Sequence, residues 1–317
     1  MTTTSKFDPQ IKKVTIIGAG AIGLSWTALF LANGLHVTVT DIRPDLEESS
    51  HKGLNEIIPT LQGLGYDTSN LTANLSFEKD IEKAVTDADI IQENGPENVA
   101  FKQDLYAKLE PFFKPTALVL SSSSGIPSTV FTSKMKDPDR VLLGHPFNPP
   151  HLIPLVEVVP GEKTSKEAVK EAMAFYAALG KTPVLIEKEM PGFVANRLQS
   201  ALARESIYLV AEGVVSMENL DKIMETSLGL RWAACGPFKT FTLNGGPGGF
   251  PHFMEHLAPP MEGVWKLLGD PHFDKPTVDA LLEQAANSYG KIPYEQLTKE
   301  RDEQQLAVLN TVKTFKK

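Results

Sequence analysis

At 317 residues the chain is long enough for a large core and for two domains, and its 42% hydrophobic and 22% charged residues are ordinary for a globular protein. The net charge of −8 comes from interspersed acids and bases, with no basic tract to neutralise phosphates, which argues against nucleic acid as a partner. A single cysteine, Cys235, excludes an internal disulfide and fits a reducing, cytoplasmic setting, and no apolar run reaches the length of a membrane span.

The opening MTTTSKFDPQ lacks the apolar stretch of a secretory signal and is expected to form a short loose tail. Beyond it, β-branched runs predict strands over 14–17, 36–40, 89–92, 117–120, 141–143 and 155–159, with helices over 21–33 and 99–113 between them. A helix over 166–179 and a closing strand over 183–187 follow. This alternation implies an α/β domain with a doubly wound, mainly parallel sheet. At Met190-Pro191-Gly192 the composition changes. Long amphipathic stretches over 193–211, 217–228, 278–289 and 299–315 predict an all-helical second domain, interrupted by a Gly- and Pro-rich loop over 244–251. The expected domains are therefore 1–190 and 191–317.

The string Gly18-Ala19-Gly20-Ala21-Ile22-Gly23 follows the first strand and opens the first helix. Gly18 permits the tight turn, Gly20 lets a pyrophosphate approach the backbone, and Gly23 lets helix pack on strand. The helix beginning at Ala21 and Ile22 offers free amides to the phosphate charge. With strand before and helix after, this is a Rossmann-type dinucleotide fingerprint. The second strand ends at Asp41, 21 residues after Gly20. An acid there accepts from the ribose hydroxyls and repels a 2′-phosphate, so NAD is expected over NADP; Arg43 is a mild counter-signal.

Two further motifs stand at strand C-termini, where such folds place ligands. One is Ser121-Ser122-Ser123-Ser124-Gly125; the other is Gly144-His145-Pro146-Phe147-Asn148-Pro149-Pro150, followed by a strand carrying Glu157. Four serines can be a mere loop and a lone histidine can be structural. A His and a Glu joined by a proline-stiffened connection also make a plausible general-base dyad.

With Gln92-Glu93, Pro96-Glu97, the segment from Pro191 to Leu198 (PGFVANRL) and Gly229-Leu230-Arg231-Trp232, these motifs resemble the 3-hydroxyacyl-CoA dehydrogenase superfamily, in particular its small-acid branch of gulonate- and carnitine-type dehydrogenases. The resemblance spans roughly residues 14–315 and implies a homodimer formed through the C-terminal helices. It implies catalytic roles for Ser124, His145, Glu157 and Asn196, cofactor contacts at Glu97 and Lys102, and a place for Asn148 near the nicotinamide or substrate. In chemical terms, imidazole removes a hydroxyl proton near neutral pH, Glu157 fixes its tautomer, and Ser124 and Asn196 can donate to the carbonyl oxygen that forms.

Acyl-CoA members carry a lysine-rich helix hairpin after the second strand. Here residues 45–65 hold one lysine, Lys52, against Asp45, Glu47, Glu48 and Glu56, which suits a polyanion poorly. A small free 3-hydroxy acid is therefore favoured. Gly23-Leu24-Ser25-Trp26 resembles gulonate enzymes, whereas Leu230-Arg231-Trp232 and the segment around His252-Phe253-Met254 look more like carnitine enzymes. Arg231 is a candidate for the substrate carboxylate, and Trp232 or Phe253 for a trimethylammonium group by cation–π attraction. The alternatives are acyl-CoA or cyclic-imine chemistry on the same fold, or a crystallin-like NAD-binding protein without turnover. No metal is expected.

Overall fold

Eight strands line up in the order β3-β2-β1-β4-β5-β6-β7-β8 in a computed structural model that describes residues 11 and 13–315. The expected N-terminal tail lies outside the described residues. The strands are β1 (Lys13–Ile17), β2 (His36–Thr40), β3 (Leu75–Phe77), β4 (Ile90–Glu93), β5 (Leu118–Ser121), β6 (Val141–Pro146), β7 (Leu155–Pro160) and β8 (Thr182–Leu185). Every neighbouring pair is parallel except β6–β7, which is antiparallel. The order reverses between β1 and β4, the crevice in which a doubly wound sheet binds its ligand.

The strands are apolar on both faces because helices cover both. Val14, Ile16, Val37, Val39, Leu118, Leu120 and Leu142 bury against α1 (Ala21–Ala32), α2 (Leu46–Gly63) and a helix over Lys166–Ala178. Their alternates Ile17, Ile91, Val119, Val141 and Leu143 bury on the other face with Val85, Tyr106, Leu109 and Phe131. This period of two with no polar face is the pattern of a parallel sheet buried on both sides. The helices contributing to that second face are α3 (Ile81–Thr86), α4 (Val99–Leu109) and α5 (Ser128–Phe131), and α6 is the Lys166–Ala178 helix. Strand β3, three residues at the sheet edge, carries no legible period and was not expected from the sequence.

Contacts divide the chain into 1–196 and 197–317. The first unit runs past residue 190 because Phe193 buries in the second core cluster and the backbone of 194–195 is held by Glu157. The second unit is helical: α7 (Ala195–Ala211), α8 (Met217–Ile223), a π turn over Met224–Gly229, α9 (Leu230–Ala234), α10 (Pro237–Asn244), α11 (Gly249–His256), α12 (Pro259–Trp265), α13 (Lys275–Asn287) and α14 (Tyr294–Phe315). The helix expected to end at 228 therefore continues to Ala234. The expected loop over 244–251 is largely helical, a 3-10 turn over Gly246–Gly248 leading into α11. Pro251 is compatible with that helix because it lies in its first turn, where a missing N–H costs nothing. Among the described residues, no helix is long and apolar enough to cross a membrane and no His, Cys, Asp and Glu cluster could hold a metal.

Candidate active site

The glycine string joins β1 to α1 as a close-packed turn. Gly18 has φ +89°, and a Cβ there would lie 2.8 Å from the Asn94 carbonyl oxygen. A Cβ on Gly23 would lie 1.9 Å from the Gly18 carbonyl oxygen, so neither position admits a side chain. At Gly20 a Cβ would meet no atom within 4 Å. Gly20 thus leaves open room over the N-terminus of α1, whose amides have no side-chain cap. That is the arrangement a pyrophosphate needs: a bare backbone at the positive end of a helix. Ala21 and Ile22 supply the first turn of that helix.

Asp41 closes the same turn from the end of β2. Ala19 N–H donates to its Oδ2 (2.7 Å), and Arg43 N–H donates to its Oδ1 (2.9 Å). Burial opposes the Asp41 charge, but these two amides and the nearby Arg43 guanidinium outweigh it and hold the carboxyl below its ordinary range. The Arg43 Nε lies 3.4 Å from the Asp41 Oδ1, so the counter-signal in the sequence is drawn onto the acid itself. Beside it Ile42 is fully exposed, an apolar side chain next to the Asp41 carboxylate. Asp41→Ser is expected to raise kcat/KM for NADP relative to NAD by at least about tenfold, measured by steady-state kinetics with both cofactors. Equal use of both by the unmodified protein would contradict the role of Asp41.

His145 and Glu157 face each other across the antiparallel β6–β7 pair, in direct register. Opposed residues in such a pair point to the same side of the sheet, so the topology alone brings them together. His145 Nδ1 lies 2.8 Å from Glu157 Oε2, with both side chains buried. The second carboxylate oxygen accepts the amides of Val194 and Ala195, both at 3.0 Å, at the start of α7. Burial pushes the Glu157 pKa up; the His145 bond and the two amides pull it down further, and the net shift is downward. An ionised carboxylate only accepts, so the proton between them lies on Nδ1, and in the neutral imidazole that leaves the lone pair on Nε2. Phe147 and Phe193 pack against the ring at centroid distances of 5.4 and 5.3 Å and fix its plane.

The serine loop leaves β5 beside this dyad's sheet edge. Glu97 Oε1 accepts the amides of Ser124 (3.1 Å), Gly125 (2.7 Å) and Ile126 (3.2 Å) and the Ser123 hydroxyl (2.8 Å). Ser124 is exposed, its hydroxyl has no partner among the described residues, and its carbonyl accepts from Asn196 Nδ2 at 2.9 Å. Asn148 is exposed in the loop after β6, ahead of a cis bond to Pro149.

Residues 13–190 match the 3-hydroxyacyl-CoA dehydrogenase NAD-binding domain, and residues 192–277 match that family's C-terminal domain. The chain belongs to the 3-hydroxyacyl-CoA dehydrogenase family. It is 44% identical to a 3-hydroxyacyl-CoA dehydrogenase of Gibberella moniliformis, over 92% of each chain. It is 40% identical to an L-carnitine dehydrogenase of Streptomyces coelicolor, over 95% of this chain and 94% of the other. A solved structure of a 5-formyl-3-hydroxy-2-methylpyridine 4-carboxylic acid 5-dehydrogenase, described as an NAD+-dependent dismutase, matches with TM-score 0.82 and 29% identity over 96% of this chain and 99% of that one. The chain is thus an NAD-dependent 3-hydroxy acid dehydrogenase with the architecture expected from its sequence.

Within this family member, one expected contact falls differently. Lys102, expected along the cofactor, is fully buried, its ammonium donating to both oxygens of Glu93 at 2.7 and 2.8 Å. A lysine enclosed in an ion pair presents nothing to a ribose. It neutralises Glu93, which also accepts from Gly95 N–H (2.6 Å), Tyr106 (3.1 Å) and Ser121 (2.6 Å), and so sets the floor beneath the β4 and β5 ends. Glu97 remains exposed, but one of its oxygens is committed to the serine loop.

Arg231 and Trp232 lie on α9 in the second unit and are both exposed. Arg231 forms no ion pair with Glu225 or another acid among the described residues, and its charge lies in the last turn of α9. Phe253, the other aromatic considered for a cationic group, is buried and stacked on Phe241 at 4.6 Å and 10°, so its ring is part of a core.

Proposed function

We propose that this enzyme oxidises the 3-hydroxyl of a small free L-3-hydroxy acid, with L-carnitine as the leading substrate, and that His145 is its general base. The observation that carries the reading is the buried His145–Glu157 pair, which holds one ring nitrogen and leaves Nε2 to accept a proton. NAD accepts the hydride. As the substrate hydroxyl loses its proton to Nε2, the imidazolium is stabilised by Glu157, itself kept ionised by the Val194 and Ala195 amides. The exposed Ser124 hydroxyl is a donor suited to the oxygen that becomes a carbonyl. Asn196, whose amide grips the serine loop, positions it there and shares that role.

Helix α2 supports a free acid over a CoA ester. It carries Glu47, Glu48 and Glu56 against Lys52 alone, which repels a polyphosphate. Arg231 serves the carboxylate and Trp232 the trimethylammonium group in this reading. A homodimer through the second unit, whose surface leaves Phe238, Leu267 and Phe273 exposed, belongs to it as well. Incubating the enzyme with NAD and L-carnitine, L-gulonate or L-3-hydroxybutyrate, and following the reduced cofactor, tests it. L-Carnitine is expected to give the highest kcat/KM. L-Gulonate as the best substrate would move the assignment to the gulonate type, and no turnover of any free acid would overturn it.

A further inference from the structure

Two consecutive residues of α1, Ser25 and Trp26, are wholly buried and lie one helical turn inside the phosphate-binding end. Neither belongs to the glycine fingerprint. The Ser25 hydroxyl accepts the His151 amide at 2.7 Å and lies 2.8 Å from His151 Nδ1. His151 sits in the loop between β6 and β7, the connection that follows His145 and carries Asn148. The Trp26 indole N–H donates to the Ser122 hydroxyl at 3.1 Å, in the loop that carries Ser124. That hydroxyl also accepts from Gln92 (2.9 Å) and donates to Asn94 (2.7 Å), so all its hydrogen-bonding capacity is committed. Gln92 is fixed in turn by the Tyr176 hydroxyl at 2.7 Å. The Lys181 ammonium lies 5.7 Å from the Trp26 ring centroid and donates to the carbonyls of Pro150 and Ile153 in the same β6–β7 loop.

We propose that Ser25 and Trp26 are positioning residues: a two-residue clasp on the cofactor helix that holds the Ser124 loop and the His145–Asn148 loop in register with the dinucleotide. Hydride transfer requires donor carbon, acceptor and base to meet within a narrow geometry, and a displacement of about 1 Å can cost up to about 10²-fold in rate. Both catalytic loops hang from adjacent side chains of the helix that receives the phosphates. The cofactor and the proton-transfer groups therefore share one rigid reference. Hydrogen bonds to buried amides and indoles suit this task, since each is directional and costly to leave unmade. The inference rests on the dehydrogenase reading for its rate effect only.

Hydrogen exchange by mass spectrometry, with NADH titration and steady-state kinetics, separates the possibilities. In Ser25→Ala, amides over 147–153 are expected to exchange at least about tenfold faster, with those over 121–126 unchanged. Trp26→Phe, which keeps a smaller aromatic ring and removes the indole N–H, is expected to loosen 121–126 instead. Each is expected to lower kcat about threefold to tenfold while KM for the acid and Kd for NADH stay within about twofold. Unchanged exchange in the named segments, uniform loosening of the sheet strands, or an unchanged kcat despite local loosening would overturn the clasp. If Ser25→Ala fails to fold, Trp26→Phe decides by the same criteria. Failure of the substrate assignment would leave the exchange and NADH results intact, so the two can be told apart.

Discussion

His145→Gln is expected to lower kcat by about 10²–10⁴-fold with NADH affinity unchanged within about twofold. Gln fills much of the imidazole volume and can still hydrogen-bond Glu157, but it has no basic nitrogen. The loss therefore falls on proton transfer and spares cofactor binding. Steady-state kinetics and fluorescence titration with NADH check both halves. Glu157 stays ionised through neutral pH: its carboxyl is held below the ordinary range, so its charge is lost only as the pH drops below that range. Glu157→Gln is expected to slow catalysis as well, because the imidazolium would lose its counter-charge and the Val194 and Ala195 amides an anionic acceptor. Near-normal kcat in His145→Gln would remove His145 as base.

Arg231→Lys is expected to raise KM for the acid by about 10- to 100-fold, the equivalent of roughly 1.5–3 kcal/mol for hydrogen bonds to a charged group. Lysine keeps the positive charge in the last turn of α9 but loses the planar fork that matches two carboxylate oxygens. A role in capping the helix would therefore survive the change, whereas a role in holding the carboxylate would not. NAD affinity and Tm should stay near those of the unmodified enzyme. If Tm falls and KM does not move, Arg231 is structural and another group holds the acid.

Much of this was legible in the sequence, for physical reasons that differ by element. Strands β1, β2, β4, β5, β6 and β7 announce themselves because burial on both faces demands unbroken apolar, β-branched runs. The glycine fingerprint is legible because Gly18 and Gly23 have no sterically allowed replacement. The antiparallel β6–β7 pair explains why His145 and Glu157, twelve residues apart, meet in one hydrogen-bonded pair. The sequence suggested the dyad from the proline-stiff link alone. Less legible was what surrounds these groups. The Lys102–Glu93 pair is invisible to spacing because its residues come from α4 and β4, and only burial distinguishes an enclosed lysine from one that meets a ligand. The same holds for Glu97, whose oxygen is spent on three backbone amides that no side-chain pattern reveals. Phe253 looked like a binding aromatic and is a stacked core residue, since composition does not say which face of a ring is covered. The helix over Gly249–His256 was hidden by its glycines and proline, which read as a loop until Pro251 is seen to occupy a first turn.

Preference for a free acid over an acyl-CoA thioester is decided by comparing the two on one preparation of enzyme. With NAD saturating, kcat/KM for L-carnitine and for L-3-hydroxybutyryl-CoA is measured on the same enzyme by the appearance of reduced nicotinamide. The acidic α2 helix and the exposed Arg231 lead us to expect the free acid to exceed the thioester by at least about 100-fold. A kcat/KM for the thioester equal to or above that for the free acid would contradict the assignment.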